Sequence, residues 1–187
     1  TFTGDGNFVV TTAGGNSAQF PTTVDYLVVA GGGAGGNGLG NTGAGSGGGA
    51  GGYRESLASA SPTHTASPHT ASPLKATTGL NVGNTTQTIP VTVGGGGALC
   101  STNTARGSNG SNSVFSTITS AGGGAGGSGN DASPLTSTGQ PGPDRREGLP
   151  GGSAGGSRSG SGPSYSSSPL GSPAVAQGNT PPVSPPQ

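Results

Sequence analysis

The stretch Val24–Gly36, VDYLVVAGGGAGG, decides how this chain is read. A β-prone run, Val24–Ala30, drives straight into glycines. Taken alone, Gly31–Gly36 fits G-x-G-x-x-G, the dinucleotide-binding fingerprint. That fingerprint needs a helix at its third glycine, to hold a pyrophosphate, and an acidic residue about 20 positions on. Here the chain continues NGLGNTGAGSGGGAGG. Each glycine costs about 1 kcal/mol in a helix relative to alanine, so this segment forms none. Glu55 stands at a suitable distance but follows a second glycine tract, where the motif wants a second strand. No Gly-Lys-Ser/Thr occurs, which removes a P-loop.

The pattern recurs. TIPVTV (Thr88–Val93) runs into Gly94–Gly97, and NSVFSTITSA (Asn112–Ala121) runs into Gly122–Gly127. Each is read as one strand opening a glycine tract, a degenerate internal repeat. Further tracts, Gly43–Gly52 and Gly151–Gly156, lack a strong strand in front. Val24–Ala30 is apolar on both faces and reads as buried. TFTGDGNFVVTT, at the start of the chain, reads as a short hairpin around Gly4–Asn7.

Composition explains why glycine must carry the fold. The 187 residues include 43 glycines and 16 prolines, with 6% charged and 26% hydrophobic residues. Ordinary domains have about 25% and about 45–50%. With no Trp, no Met, four Phe and three Tyr, side chains supply little core. Consecutive glycines adopt the extended, three-residue-per-turn polyproline II helix. Several such helices can pack side by side and hydrogen-bond through their backbones, which meets the demand that buried peptide groups be paired. An occasional alanine, as in GGGAGG, would point outward. The competing reading is a flexible linker. It is disfavoured by the placement of tracts directly after strands.

The expected fold is therefore mainly β and irregular: short strands feed glycine tracts packed as polyglycine II helices, with almost no α-helix. Residues 1–130 form the strand-plus-tract domain, 131–162 an interrupted glycine-rich extension, and 163–187 a Ser/Pro-rich tail ending NTPPVSPPQ. Residues 56–78 hold a duplicated loop, HTASPHTASP.

Chemistry-bearing constellations are scarce. His64 and His69 lie in the duplicated loop without a carboxylate or cysteine near. Cys100 is the single cysteine and has no disulfide partner in the chain. No carboxylate pair suggests acid–base work, and no Gly-x-Ser-x-Gly elbow has its strand and helix. No enzyme is expected, hence no catalytic residue, cofactor or metal. Six basic against six acidic residues leave no electrostatic footprint for nucleic acid. No apolar run nears the roughly 20 residues of a membrane span, so no membrane insertion is expected. Tyr53 and Arg54, ending a glycine tract, and Arg145 and Arg146, in a polar segment, are the candidate receptor contacts. For Tyr53-Arg54-Glu55 the bland reading is a turn with its aromatic against the lattice edge.

VDYLVVAGGGAGG, AGGYRES, PVTVGGGG, GSNGSNSVFSTITSAGGGAGG, GLPGGSAGG and GNTPPVSPPQ together resemble the glycine-rich tail-fibre and tail-tip adhesins of tailed bacteriophages. The resemblance is patchy but spans most of the chain, with NGSNSVFSTITSAGGGAGG the most specific block. It implies a polyglycine II lattice whose far-end loops contact a receptor on the bacterial surface, an outer-membrane protein or a polysaccharide. It implies a virion or extracellular location. The alternative is an extracellular structural protein, possible O-glycosylation included, that assembles with copies of itself into a fibre or sheath. Ice binding by a flat lattice suits the glycine but not the broken tracts.

Overall fold

The computed structural model describes residues 1–11, 22–38, 45–56, 75–76, 79–83, 85–100, 107–128 and 148–156. Among these there is no helix, and nine short strands form three small sheets. The largest has the order β1 (Gly6–Val10), β7 (Gln87–Thr92), β8 (Ser113–Phe115), β9 (Ile118–Ser120), antiparallel throughout. β2 (Thr23–Val24) pairs with β6 (Leu80–Asn81). β3 (Leu27–Val29), β4 (Tyr53–Ser56) and β5 (Lys75–Ala76) make the third, with β4 and β5 parallel.

Period-two alternation puts Phe8, Ile89, Val91 and Phe115 on one face of the large sheet. Phe8 and Phe115 meet edge to face, centroids 5.7 Å apart. Serine does the rest of the docking. The fully buried Ser120 hydroxyl donates to the Val28 carbonyl at 2.7 Å, fastening β9 to β3.

Several expectations about the strands are corrected. The opening segment does not fold back on itself: β1 pairs with β7, and Asp5 accepts the Val93 amide at 2.8 Å, tying the preceding loop to the end of β7. Val24–Ala30 is two strands, and only Val28 and Ala30 are buried; Leu27 and Val29 are 62% and 51% exposed because β3 packs on one face alone. Asn112–Ala121 is a hairpin, β8–β9, turning at Ser116-Thr117. Ser116 has φ of 57° and is the only described non-glycine residue with positive φ, so the turn follows the type II′ pattern.

The glycine tracts hold the centre of the molecule. We number them I (30–36), II (45–52), III (94–98), IV (107–112), V (121–128), VI (148–152) and VII (153–156). Their hydrogen bonds advance in steps of three. Ala30, Gly33 and Gly36 donate to Gly52, Gly49 and Ser46. Ser46, Gly49 and Gly52 in turn donate to Gly127, Gly124 and Ala121. A β-ladder would repeat every two residues; a step of three belongs to the threefold polyproline II helix. The tracts are polyglycine II helices.

Tract V is the axis, and every residue from 121 to 128 is buried. Its amides point three ways: Gly123 and Gly126 to tract I, Gly124 and Gly127 to tract VII, Gly122 and Ala125 to side chains of tract IV. Its carbonyls point three other ways, receiving amides from tracts II, VI and IV. Because I–II, II–VII, VII–VI and IV–I are themselves hydrogen-bonded, the six directions can be ordered around the axis. Donor and acceptor alternate, as a hexagonal glycine lattice requires.

Close packing fixes the residue type. A Cβ at Gly124 would lie 1.8 Å from the Leu149 carbonyl oxygen, and one at Gly33 would lie 2.2 Å from that of Gly124. The outward alanine expectation fails for Ala34 and Ala125, which are 5% and 0% exposed. The lattice accepts both methyl groups inside.

Candidate functional site: the far end of the glycine lattice

Tracts I, III and V leave the strands β3, β7 and β9, whereas tracts II and IV return into β4 and β8. The pairings are antiparallel for I with II, III with IV and V with VI. All sheets therefore gather at one end. The chain links 37–44, 99–106 and 129–147 leave and re-enter the lattice at the other.

Described residues at that far end include Gly36, Asn37, Ser46, Leu99, Cys100, Ser128 and Gly156. Ser46 closes the lattice there: its hydroxyl lies 2.9 Å from the Gly127 carbonyl and 2.5 Å from that of Gly156, joining tracts II, V and VII. Leu99 is 80% exposed, and Cys100, half-buried, follows it as a free thiol. Ser128 is fully buried at the end of tract V.

The candidate contacts separate in space. Tyr53 and Arg54 are strand residues of β4 and sit at the sheet end. Arg54 is 7% exposed, with its proton affinity lowered by burial and partly restored by neighbouring Tyr26. Tyr53 points to the opposite face, beside Val29 of β3, and donates its hydroxyl to Glu55. That bond, then burial, then the Glu55 charge raise the Tyr53 pKa. Ser56, the last residue of β4, contacts Asp25 at 3.1 Å and receives the Tyr26 amide at 3.0 Å. Arg145 and Arg146 lie outside the described residues, in the sequence between tracts V and VI. His64 and His69 and the tail 163–187 also lie outside them.

One element escaped sequence reading. Tract IV, GSNGSN, carries only two glycines, yet it is a lattice helix. Its three residue types serve three roles. Gly110 approaches tract I, where a Cβ would lie 2.1 Å from the Gly31 carbonyl oxygen. Ser108 and Ser111 present carbonyls to Ala34 and Gly31. Asn109 and Asn112 accept the Ala125 and Gly122 amides, each at 2.9 Å. Asn109 also donates to the Pro150 carbonyl at 2.9 Å. Two side-chain amides thus stand where a sixth helix around tract V would be. The signal was the G-x-N-G-x-N spacing, whose period of three matches the helix.

A cleft of about 550 Å³ opens at the sheet end, lined by Phe2, Phe8, Leu27, Val29, Val91 and Phe115 among others. It is mostly apolar. Among the described residues, no helix is long and apolar enough to cross a membrane, and no three His, Cys, Asp or Glu side chains cluster as metal ligands.

The glycine-rich domain family matches residues 3–184, nearly the whole chain, and the protein belongs to it. No curated protein and no solved structure matches the chain.

Proposed function

We propose that this member of the glycine-rich domain family is a non-enzymatic attachment protein at the tip of a phage tail fibre, binding a receptor on the bacterial surface. The observation that supports this is the polarity of the lattice: three links leave at one end, and every sheet lies at the other. A backbone-bonded lattice holds its ends fixed, so recognition from there loses little entropy in ordering the scaffold. The receptor is an outer-membrane protein or a surface polysaccharide. Contact falls to the links, above all to 129–147, which carries Arg145 and Arg146. Arginine suits the phosphates and carboxylates of bacterial envelopes because its planar fork binds them in pairs.

The test is binding of labelled protein to a panel of intact bacteria. Each of the links 37–44, 99–106 and 129–147 is replaced in turn by glycine-serine. Loss of binding with an unchanged thermal midpoint is the expected result. Binding that survives all three replacements rejects the reading.

A further inference from the structure

Tract I has four of its six directions filled: amides to tracts II and IV, carbonyls to tracts V and III. The other two face outward. The amides of Gly32 and Gly35 form one open row, and the carbonyls of Gly33 and Gly36 form the other. Neither row has a hydrogen-bond partner among the described residues. The rows lie side by side and repeat every three residues, one partially positive and one partially negative. Tract III continues the same face through Gly95 and Gly96, both exposed.

Among the described residues, no charged side chain or proline guards this surface. Open β-edges are normally protected by charges or proline. The described tracts hold no Asp, Glu, Lys, Arg or His, and tracts I, II and III hold no proline. The chain has no net charge to keep copies apart. Only an extended threefold segment with glycine at the contact can approach as closely as the tracts approach each other. The chain itself supplies such segments in its own tracts.

We propose that the face formed by tracts I and III docks on the same face of a second copy, related by a twofold axis. With the twofold axis parallel to the tracts, the two copies of tract I run in the same direction and the Gly32/Gly35 amides of each copy face the Gly33/Gly36 carbonyls of the other. A twofold contact closes on itself, so the product is a discrete pair and not a filament. This inference does not rest on the attachment reading.

Light scattering over a range of protein concentration tests it. The chain should pass from single to doubled mass as concentration rises. Gly32→Lys with Gly35→Lys should hold it at single mass while the thermal midpoint stays put. The substituted positions have room, with the nearest atoms to a Cβ at 3.6 Å and 3.4 Å. If that variant fails to fold, Gly96→Lys on tract III (nearest atom 3.8 Å) repeats the test on the same face. Leu27→Glu, in the apolar cleft, should leave the pair intact. Single mass at every concentration, open-ended growth, doubling that survives the lysines, or dissociation by Leu27→Glu would each overturn the proposal. Cell binding is read separately, so either proposal can fail alone.

Discussion

Tracts I and V share the sequence GGGAGG and the same helix, yet they live differently. Tract V is saturated: six directions, six partners, every residue buried. Tract I keeps two directions open. The comparison teaches that glycine is required by direction, not by tract. A glycine whose Cβ would meet a neighbouring carbonyl is obligatory; one facing outward is replaceable.

The largest expected effect follows from the saturated tract. Gly124→Ala drives a methyl group into the Leu149 carbonyl, and the backbone contact has no side chain to give way. A loss of more than about 4 kcal/mol is expected, seen as failure to fold or a collapsed midpoint in thermal unfolding. Gly124→Ala with near-native stability would break the distinction.

Next come the side chains that complete the hexagon. Asn109→Ala and Asn112→Ala each leave an amide of tract V without its acceptor, a cost of about 1–3 kcal/mol. Asn109→Asp keeps that acceptor and loses the donation to Pro150, so denaturant midpoints should place it between Asn109→Ala and wild type.

The outward positions carry the opposite sign. Gly47→Ala meets nothing within 4 Å of the new Cβ. Its gain, from reduced freedom of the unfolded chain, is about 0.4–1 kcal/mol in the same unfolding measurement.

The smallest effect is at the sheet end. The Tyr53 pKa is raised, first by its hydrogen bond to Glu55. The folded state therefore holds that proton more tightly than the unfolded state, whose tyrosine titrates near 10. This stabilisation is complete below about pH 10 and is lost as pH climbs through the higher folded value. Tyr53→Phe should flatten the alkaline decline in stability, measured by denaturation between neutral pH and pH 11, and cost less than about 1 kcal/mol at neutral pH.

How much of this was legible depended on whether a signal was local. The strand-to-tract junctions at Ala30, Gly94 and Ala121 were readable, because β-branched runs stop abruptly at glycine. That Gly31–Gly36 opens no helix was readable from the glycines that follow it, and the described residues there, 37–38 and 45–52, are not helical. Tract IV was not readable from glycine content, since only its contact with tract I demands a missing side chain. The β8–β9 turn was hidden because Ser116 takes a φ that sequence rules assign to glycine or asparagine. Tyr53 and Arg54 stood out as the end of a tract. That this end faces the sheets, away from the links, depends on which tracts run outward, and long-range pairing alone decides it. The exposed side chains of Leu27 and Val29 likewise follow from a sheet covered on one face, a fact of packing that a uniformly apolar strand conceals.

The central claim is the threefold lattice, and residue-resolved amide hydrogen exchange by NMR tests it most directly. Along tract I, the amides of Gly31, Gly33, Ala34 and Gly36 are bonded and those of Gly32 and Gly35 are open. At concentrations where the chain is monomeric, Gly32 and Gly35 should exchange fast, the other four slowly, and Gly122 to Gly127 should be uniformly protected. Alternation with a period of two, or equally fast exchange along both tracts, would contradict it.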